Sequence, residues 1–265
     1  MKHTTRLLIA AFVMWTVSCI PSTAQEEFTY NGDTGPGYWS SLEEDFSACA
    51  ASPTGHQSPI DIDAVTEDPR LGPLNLILTE MPFTLINNGH TIMATPKFGG
   101  ILAIDGDNYT LTQFHFHTLS EHAVEGERGV MELHAVFTDS HNNNAVVGML
   151  YKIGRPNQFL EKLIAAGLPK RTTSAPVTID RLSLEEAFTD TARYYTYQGS
   201  LTTPPCSENV KWLVLKQWAE LSPEQLEAFR TILGDDFRPL QKRNQRVVRA
   251  TTRRGSYDAE RSSNQ

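Results

Sequence analysis

Five residues, "QFHFH" at 113 to 117, have the types and spacing that could do metal chemistry. In a β-strand successive side chains point to opposite faces, so Gln113, His115 and His117 share one face while Phe114 and Phe116 share the other. The aromatic face suits a core. The two imidazoles stand about 7 Å apart, from a rise of about 3.3 Å per residue. That spacing suits two ligands of one metal ion, and it equally suits two surface histidines. A second segment, "MELHAVF" at 131 to 137, places His134 on a face with Glu132 and Val136. Three neutral imidazoles would leave a tetrahedral zinc with one open position for water, as a catalytic site needs; a structural site would want a fourth protein ligand. Gln113 and Glu132 are placed to accept hydrogen bonds from the imidazole nitrogens that do not bind metal.

A His-x-His pair alone is weak evidence, and with a Glu-x-His on a second strand it becomes moderately specific. One rival reading uses the same residues. His115-Phe116-His117 followed by Glu121 fits the core of a cupin's first motif, in which the glutamate is itself a ligand. The cupin's later proline- and glycine-containing motif does not follow, and His134 arrives too early, so this reading comes second.

The elements that must hold these residues read mainly as strands. Tyr109, Leu111 and Phe114 favour a strand after a turn at Gly106-Asp107-Asn108. Phe83 to Ile86, before Asn87-Asn88-Gly89, and Ala145 to Ile153 are further strands. Helical signals are fewer. Ser222-Pro223-Glu224-Gln225 is a capping box with proline at the first helical position, and Leu226, Phe229 and Leu233 form one apolar stripe before Gly234. A short helix covers Asn157 to Ala166. The expectation is a mainly β (α+β) domain whose helices are short and peripheral.

The whole chain bounds the function further. It has 265 residues, 40% hydrophobic and 20% charged, ordinary for one large globular domain. Lys2 and Arg6 precede an apolar run from Leu7 to Val17, and Ser22-Thr23-Ala24 is a small-x-small pattern. This predicts a signal peptide over residues 1 to 24, a domain over 25 to 250 and a polar tail over 251 to 265. The run is too short to span a bilayer, and no other segment approaches the roughly 20 apolar residues required. Net charge is −8, and removing residues 1 to 24 takes away Lys2 and Arg6 but no acid, leaving about −10. Such acidity argues against nucleic acid as a partner. The locally basic stretch from Gln241 to Arg254 reads as a solvated end of the chain. Cys19 follows Thr16-Val17-Ser18, a poor lipobox, so lipid anchoring is not expected. Cys49 and Cys206 remain as an even pair in an exported chain, which reads as a disulfide rather than two buried thiols.

The segment "YYTYQGSLTTPPCSENVKW" at 194 to 212 decides between readings. With "QFHFH", "SEH" at 120 to 122, "ELH" at 132 to 134, "NNGH" at 87 to 90 and "GHQSPIDI" at 55 to 62, it closely resembles the α-class carbonic anhydrases, in the family order from about Tyr30 to Val248. The resemblance implies a large, twisted, mostly antiparallel central sheet with zinc at the base of a conical cleft. It implies that His115, His117 and His134 bind zinc, with Gln113 and Glu132 behind them. Thr202 would accept the proton of a zinc-bound hydroxide and donate to Glu121, and Thr203 would contact bicarbonate. Val136, Val146, Leu201, Val210 and Trp212 match the wall that holds CO₂; without the resemblance each is an ordinary core residue. His90 matches the proton shuttle, a task that suits a histidine with its ordinary pKa of about 6.5. Tyr30 and Asn88 match residues that order water toward it. The Cys49–Cys206 pair is similar to the disulfide of bacterial exported members, which implies the periplasm. A homodimer is compatible with the resemblance, though no residue specifies one. Two positions depart from the pattern: Met93 stands where many members have a polar residue, and Asn144 where many have an apolar one. The implied activity is reversible hydration of CO₂ to bicarbonate and a proton. The alternatives are a silent binding module, which usually lacks a zinc histidine, and an esterase using the same nucleophile.

Overall fold

The structure, a computed structural model, describes residues 28–252. The expected signal peptide, Cys19 and the tail beyond Thr252 lie outside the described residues. Thirteen strands of the described chain join in one sheet. Ten strands lie on its main path: β1 (Thr66–Glu67), β2 (Met81–Asn87), β3 (Ile92–Pro96), β4 (Asp107–His117), β5 (Met131–Thr138), β6 (Asn144–Ile153), β7 (Val177–Leu182), β8 (Tyr194–Ser200), β9 (Glu208–Leu215) and β10 (Arg249–Ala250). Their spatial order is β7-β2-β3-β4-β5-β6-β9-β8-β10-β1. Neighbours are antiparallel except at β6–β9 and β10–β1. The expected mostly antiparallel sheet is therefore present, with one parallel join beside its centre.

Alternation along the central strands divides the sheet into two chemistries. Phe114, Phe116, Leu133, Ala135, Phe137, Val147, Met149 and Leu213 face the main core. Two helices cover that face, α1 (Gln158–Ala166) through Phe159 and Leu163, and α2 (Pro223–Leu233) through Phe229. Phe116 and Phe229 pack with ring centroids 4.8 Å apart. Burying each such ring stabilises the fold by about 1.5–3 kcal/mol. The helix starts follow the expected signals. Asn157 accepts from Leu160 N at 3.1 Å, and Ser222 and Gln225 form the reciprocal capping box. Gln225 also accepts from Asn157 N at 2.7 Å, so the two caps brace each other.

One turn differs from expectation. Asp105 and Gly106, both with positive φ, close a two-residue hairpin between Ile104 and Asp107, so β4 starts at Asp107 instead of after Asn108. An Asp-Gly pair with both residues left-handed is the favoured type I′ arrangement, which matches the twist of the flanking strands. A third cluster, Trp39 and Phe46 with Phe28 and Tyr30 against them, packs on the Cys49–Cys206 disulfide. Among the described residues no helix is long and apolar enough to cross a membrane.

Candidate metal centre and active site

Register across the sheet brings the predicted histidines together. Met93, His115, His134, Gly148 and Val214 lie opposite one another on β3, β4, β5, β6 and β9. The next row holds His117 opposite Glu132, and the row on the other side holds Gln113, Val136, Val146 and Trp212. His115, His117 and His134 have ring centroids 4.8 to 5.2 Å apart, and one nitrogen from each lies within 4.8 Å of the others.

Two of the rings are aimed by a hydrogen bond at the other nitrogen, and the third faces a carboxylate. His115 Nδ1 bonds Gln113 Oε1 at 2.8 Å, and His134 Nε2 lies 2.9 Å from Glu132 Oε1, both as expected from strand alternation. His117 Nδ1 donates to the main-chain oxygen of Asp236 at 2.7 Å. That leaves Nε2 of His115, Nε2 of His117 and Nδ1 of His134 for a metal. His117 Nε2 is buried with no hydrogen-bond partner. Burial, with the neighbouring His117 and His134, holds His115 well below the usual imidazole range, so it stays neutral and keeps a lone pair to donate.

Glu132 is fully buried. Burial opposes its charge, but His122 and His134 outweigh that and hold it well below the usual carboxylate range. Its Oε1 takes His122 Nδ1 at 2.8 Å as well as His134, and its Oε2 accepts Glu121 N at 2.9 Å and His122 N at 2.8 Å. His122, Glu132 and His134 also cluster closely enough to hold an ion. Glu132 in that group is already engaged by His122 Nδ1 and by two main-chain N–H groups, which favours the three-histidine cluster as the candidate metal centre.

Glu121 Oε1 accepts from Arg238 N at 2.8 Å, while Oε2 is buried without a partner, 3.5 Å from His117 Nε2. Thr202 is buried nearby in sequence to the wall residue Leu201, but the implied Thr202–Glu121 hydrogen bond is not formed among the described contacts. Val136, Val146, Val210 and Trp212 form one buried apolar cluster, with Leu201 packed against it. Thr203 is half-buried, and its carbonyl accepts Cys206 N at 2.8 Å, next to the disulfide.

His90 is half-buried at the end of the turn after β2, with Phe28 stacked on its ring at 3.7 Å. Asn88 Oδ1 accepts from His90 N and Thr91 N, so Asn88 sets the turn that carries His90. The Tyr30 hydroxyl is buried without a partner, and burial, then Glu121 and Asp236, raise its pKa well above the ordinary value. Met93 faces His115 across β3 and β4. Asn144 accepts from Thr138 Oγ1 at 2.9 Å across the β5–β6 hairpin, which accounts for a polar residue there.

Sequence reasoning assigned no role to Asp236, Arg238, His122 or Tyr197. The first two are more than 115 residues from their partners His117 and Glu121. His122 and Tyr197 lay inside the quoted motifs, so their segments were visible although their bonds were not.

The donor set fits zinc: three imidazoles, of which His115 and His117 have the second nitrogen hydrogen-bonded and His134 has its second nitrogen 2.9 Å from Glu132 Oε1, with His117 Nε2 buried and unpartnered. Fold and site together define a large β-sheet protein in which three histidines converge closely enough to hold a metal ion. A profile of the eukaryotic-type carbonic anhydrase family matches residues 34–252. A carbonic anhydrase of Klebsiella pneumoniae is 38% identical over 236 residues, covering 88% of this chain and 94% of the relative. A hyperthermostable carbonic anhydrase from a hydrothermal vent chimney superposes with a TM-score of 0.80 at 35% identity, over 85% of this chain and 100% of that one. Dioscorin complexed with ascorbate superposes with a TM-score of 0.79 at 30% identity, over 87% of this chain and 100% of that one. The chain belongs to the eukaryotic-type, or α, carbonic anhydrase family.

Proposed function

We infer that this enzyme carries out the zinc-dependent reversible hydration of CO₂, with His115, His117 and His134 as the zinc ligands. The observation that carries this reading is the convergence of three imidazole nitrogens within 4.8 Å in a member of the carbonic anhydrase family. When bound, zinc supplies Lewis acidity that makes a water nucleophilic near neutral pH, an effect for which carbonic anhydrase is the standard example.

The chain's own residues do the rest. Gln113, Glu132 and the Asp236 carbonyl hold the three rings in place and fix which nitrogen faces inward. Glu121 Oε2 is the spare acceptor onto which Thr202 turns its hydroxyl, so that Thr202 in turn accepts from the nucleophile and orients it. The wall of Val136, Val146, Leu201, Val210 and Trp212 holds a substrate that has no charge to grip. Thr203 contacts the bicarbonate. His90 carries the released proton to solvent, along water ordered by Tyr30 and Asn88.

Residues 25 to 250 form the catalytic domain, exported by the leader over 1 to 24 and released into the periplasm. The disulfide is consistent with that oxidising compartment.

A fold alone does not carry an activity; the residues of the site do. The intact histidines, Thr202 and Glu121 favour the enzyme over a binding module. The test is chelation followed by add-back. CO₂ hydration should vanish on stripping the mature chain and return with one equivalent of zinc. A stripped chain that hydrates CO₂ at the full rate would contradict the reading. Catalytic efficiency on an activated ester should fall well below that on CO₂, and the reverse order would make the esterase reading primary.

A further inference from the structure

The sequence contains two Asn-Gly pairs, Asn31-Gly32 and Asn88-Gly89. Asparagine is a thermolabile residue, and before glycine it can modify itself. Glycine has no Cβ to shield its nitrogen, so that nitrogen can reach the side-chain carbon of the preceding asparagine. Both pairs are exposed, and both glycines have positive φ, 65° at Gly32 and 95° at Gly89. Their hydrogen bonding is different.

At Asn88-Gly89 the groups the reaction needs are held. Asn88 Oδ1 accepts from His90 N at 3.0 Å and from Thr91 N at 2.9 Å, which fixes the carboxamide. Gly89 N, the attacking atom, donates to Asn87 Oδ1 at 2.9 Å. At Asn31-Gly32 the same groups are free. Asn31 precedes a 3₁₀ turn, Gly32–Thr34, without capping it through its side chain. Among the described residues neither its carboxamide nor Gly32 N has a hydrogen-bond partner.

Asn31 lies in a strap, residues 28 to 34, at the mouth of the cavity. Thr29 N donates to Thr34 O at 2.9 Å, Thr29 Oγ1 to Asn31 O at 2.7 Å, and Trp39 Nε1 to Thr29 O at 2.8 Å. Phe28, at the start of the strap, stacks on the His90 ring.

We propose that Asn31 is a site of spontaneous deamidation, and that its isoaspartate product opens the strap beside His90. Gly32 N attacks Asn31 Cγ and a C–N bond forms, while the side-chain nitrogen leaves as ammonia with the proton from Gly32 N. Water then opens the cyclic imide. Breaking its bond at Cγ gives aspartate. Breaking its bond at the main-chain carbonyl carbon gives isoaspartate, whose main chain runs through the former side chain and is one atom longer. Neither step changes an oxidation state or uses the metal centre. The extra atom falls between Tyr30 and Gly32, inside the loop closed by Thr29 and Thr34, so both bonds donated by Thr29 have to shift.

The test ages the folded mature chain at mildly alkaline pH and follows both pairs by peptide mapping in a mass spectrometer. Asn31 should deamidate faster than Asn88 by about tenfold or more, because three hydrogen bonds must open before Asn88 can react. In urea, where neither turn persists, the two rates should converge. Equal rates in the folded chain, or an Asn31 that survives there while the unfolded chain loses it, overturn the proposal. In the aged chain an isoaspartyl methyltransferase should label Asn31, and the Thr29 amide should exchange with deuterium about tenfold faster. Deamidated protein whose Thr29 exchanges at the original rate would overturn the opening of the strap. Asn31→Ser, at an exposed position, should show neither change over the same time, and a variant that ages as the wild type does would also overturn the proposal.

Discussion

His117 is held by a main-chain oxygen, and the side chain on that same residue works against the fold. The Asp236 carbonyl aims His117, while its buried carboxyl takes Thr118 N at 2.6 Å through Oδ1 and leaves Oδ2 unpartnered. Burial pushes this carboxyl well above the usual range, helped by the charge of Glu121 and opposed by the bond from Thr118. A carboxyl raised on folding contributes stability below its ordinary pKa and loses it as pH rises toward the raised value. Asp236→Asn keeps the main-chain carbonyl and an oxygen for Thr118. Its thermal midpoint at neutral pH should therefore rise by roughly 2–4 °C, about 1 kcal/mol in a chain of this size, with a smaller gain in acid. Zinc affinity should not change. Thermal melts across pH check this, and a lower midpoint at neutral pH would show the carboxyl is needed. At the cavity mouth, His90→Ala should slow CO₂ hydration, and small imidazole buffers should restore it. Unchanged turnover would remove His90 from the proton path.

At the scale of elements, one alternating strand pair contains most of what the sequence could reveal. His115, His117, Gln113, His134 and Glu132 were legible because the period of two fixes which side chains share a face, whatever the rest of the chain does. The same rule placed Phe114 and Phe116 in the core. The turn before β4 was misplaced because Gly106, Asp107 and Asn108 are all turn formers, and the Asp105–Gly106 pair that closes it lies one residue earlier. Asp236, Arg238 and the Tyr197–Ser58 bond were not legible, since periodicity carries no information about which distant segments meet. Register explains a further residue. Gly148 lies opposite His134 on β6, and a Cβ there would come within 3.0 Å of Glu132 Oε1. Gly148→Ala should displace that carboxylate and weaken zinc affinity by about tenfold, toward the lower end for losing a ligand's hydrogen-bond partner. Chelator competition measures it, and wild-type affinity would mean the carboxylate adjusts without cost.

Over the whole molecule, the disulfide joins residues 157 apart and lies between the Trp39–Phe46 cluster and the loop that follows Thr203. Arg238 reinforces this junction, donating to Cys49 O at 3.0 Å and to Ser58 O at 2.8 Å while its own N–H holds Glu121. Removing the bridge by Cys206→Ser should cost about 2–5 kcal/mol in denaturant unfolding, and a loss under about 1 kcal/mol would show that packing alone holds the junction. The sheet, its wall and its junctions all serve one claim, that the three-histidine centre is the catalytic zinc site. Stopped-flow CO₂ hydration on residues 25 to 265, zinc-loaded, tests it most directly when wild type is compared with His117→Ala. Rapid hydration in the wild type, lost together with bound zinc in a folded His117→Ala, is the predicted result. A folded, zinc-loaded wild type that does not hydrate CO₂, or a variant that still does at the wild-type rate, would contradict it.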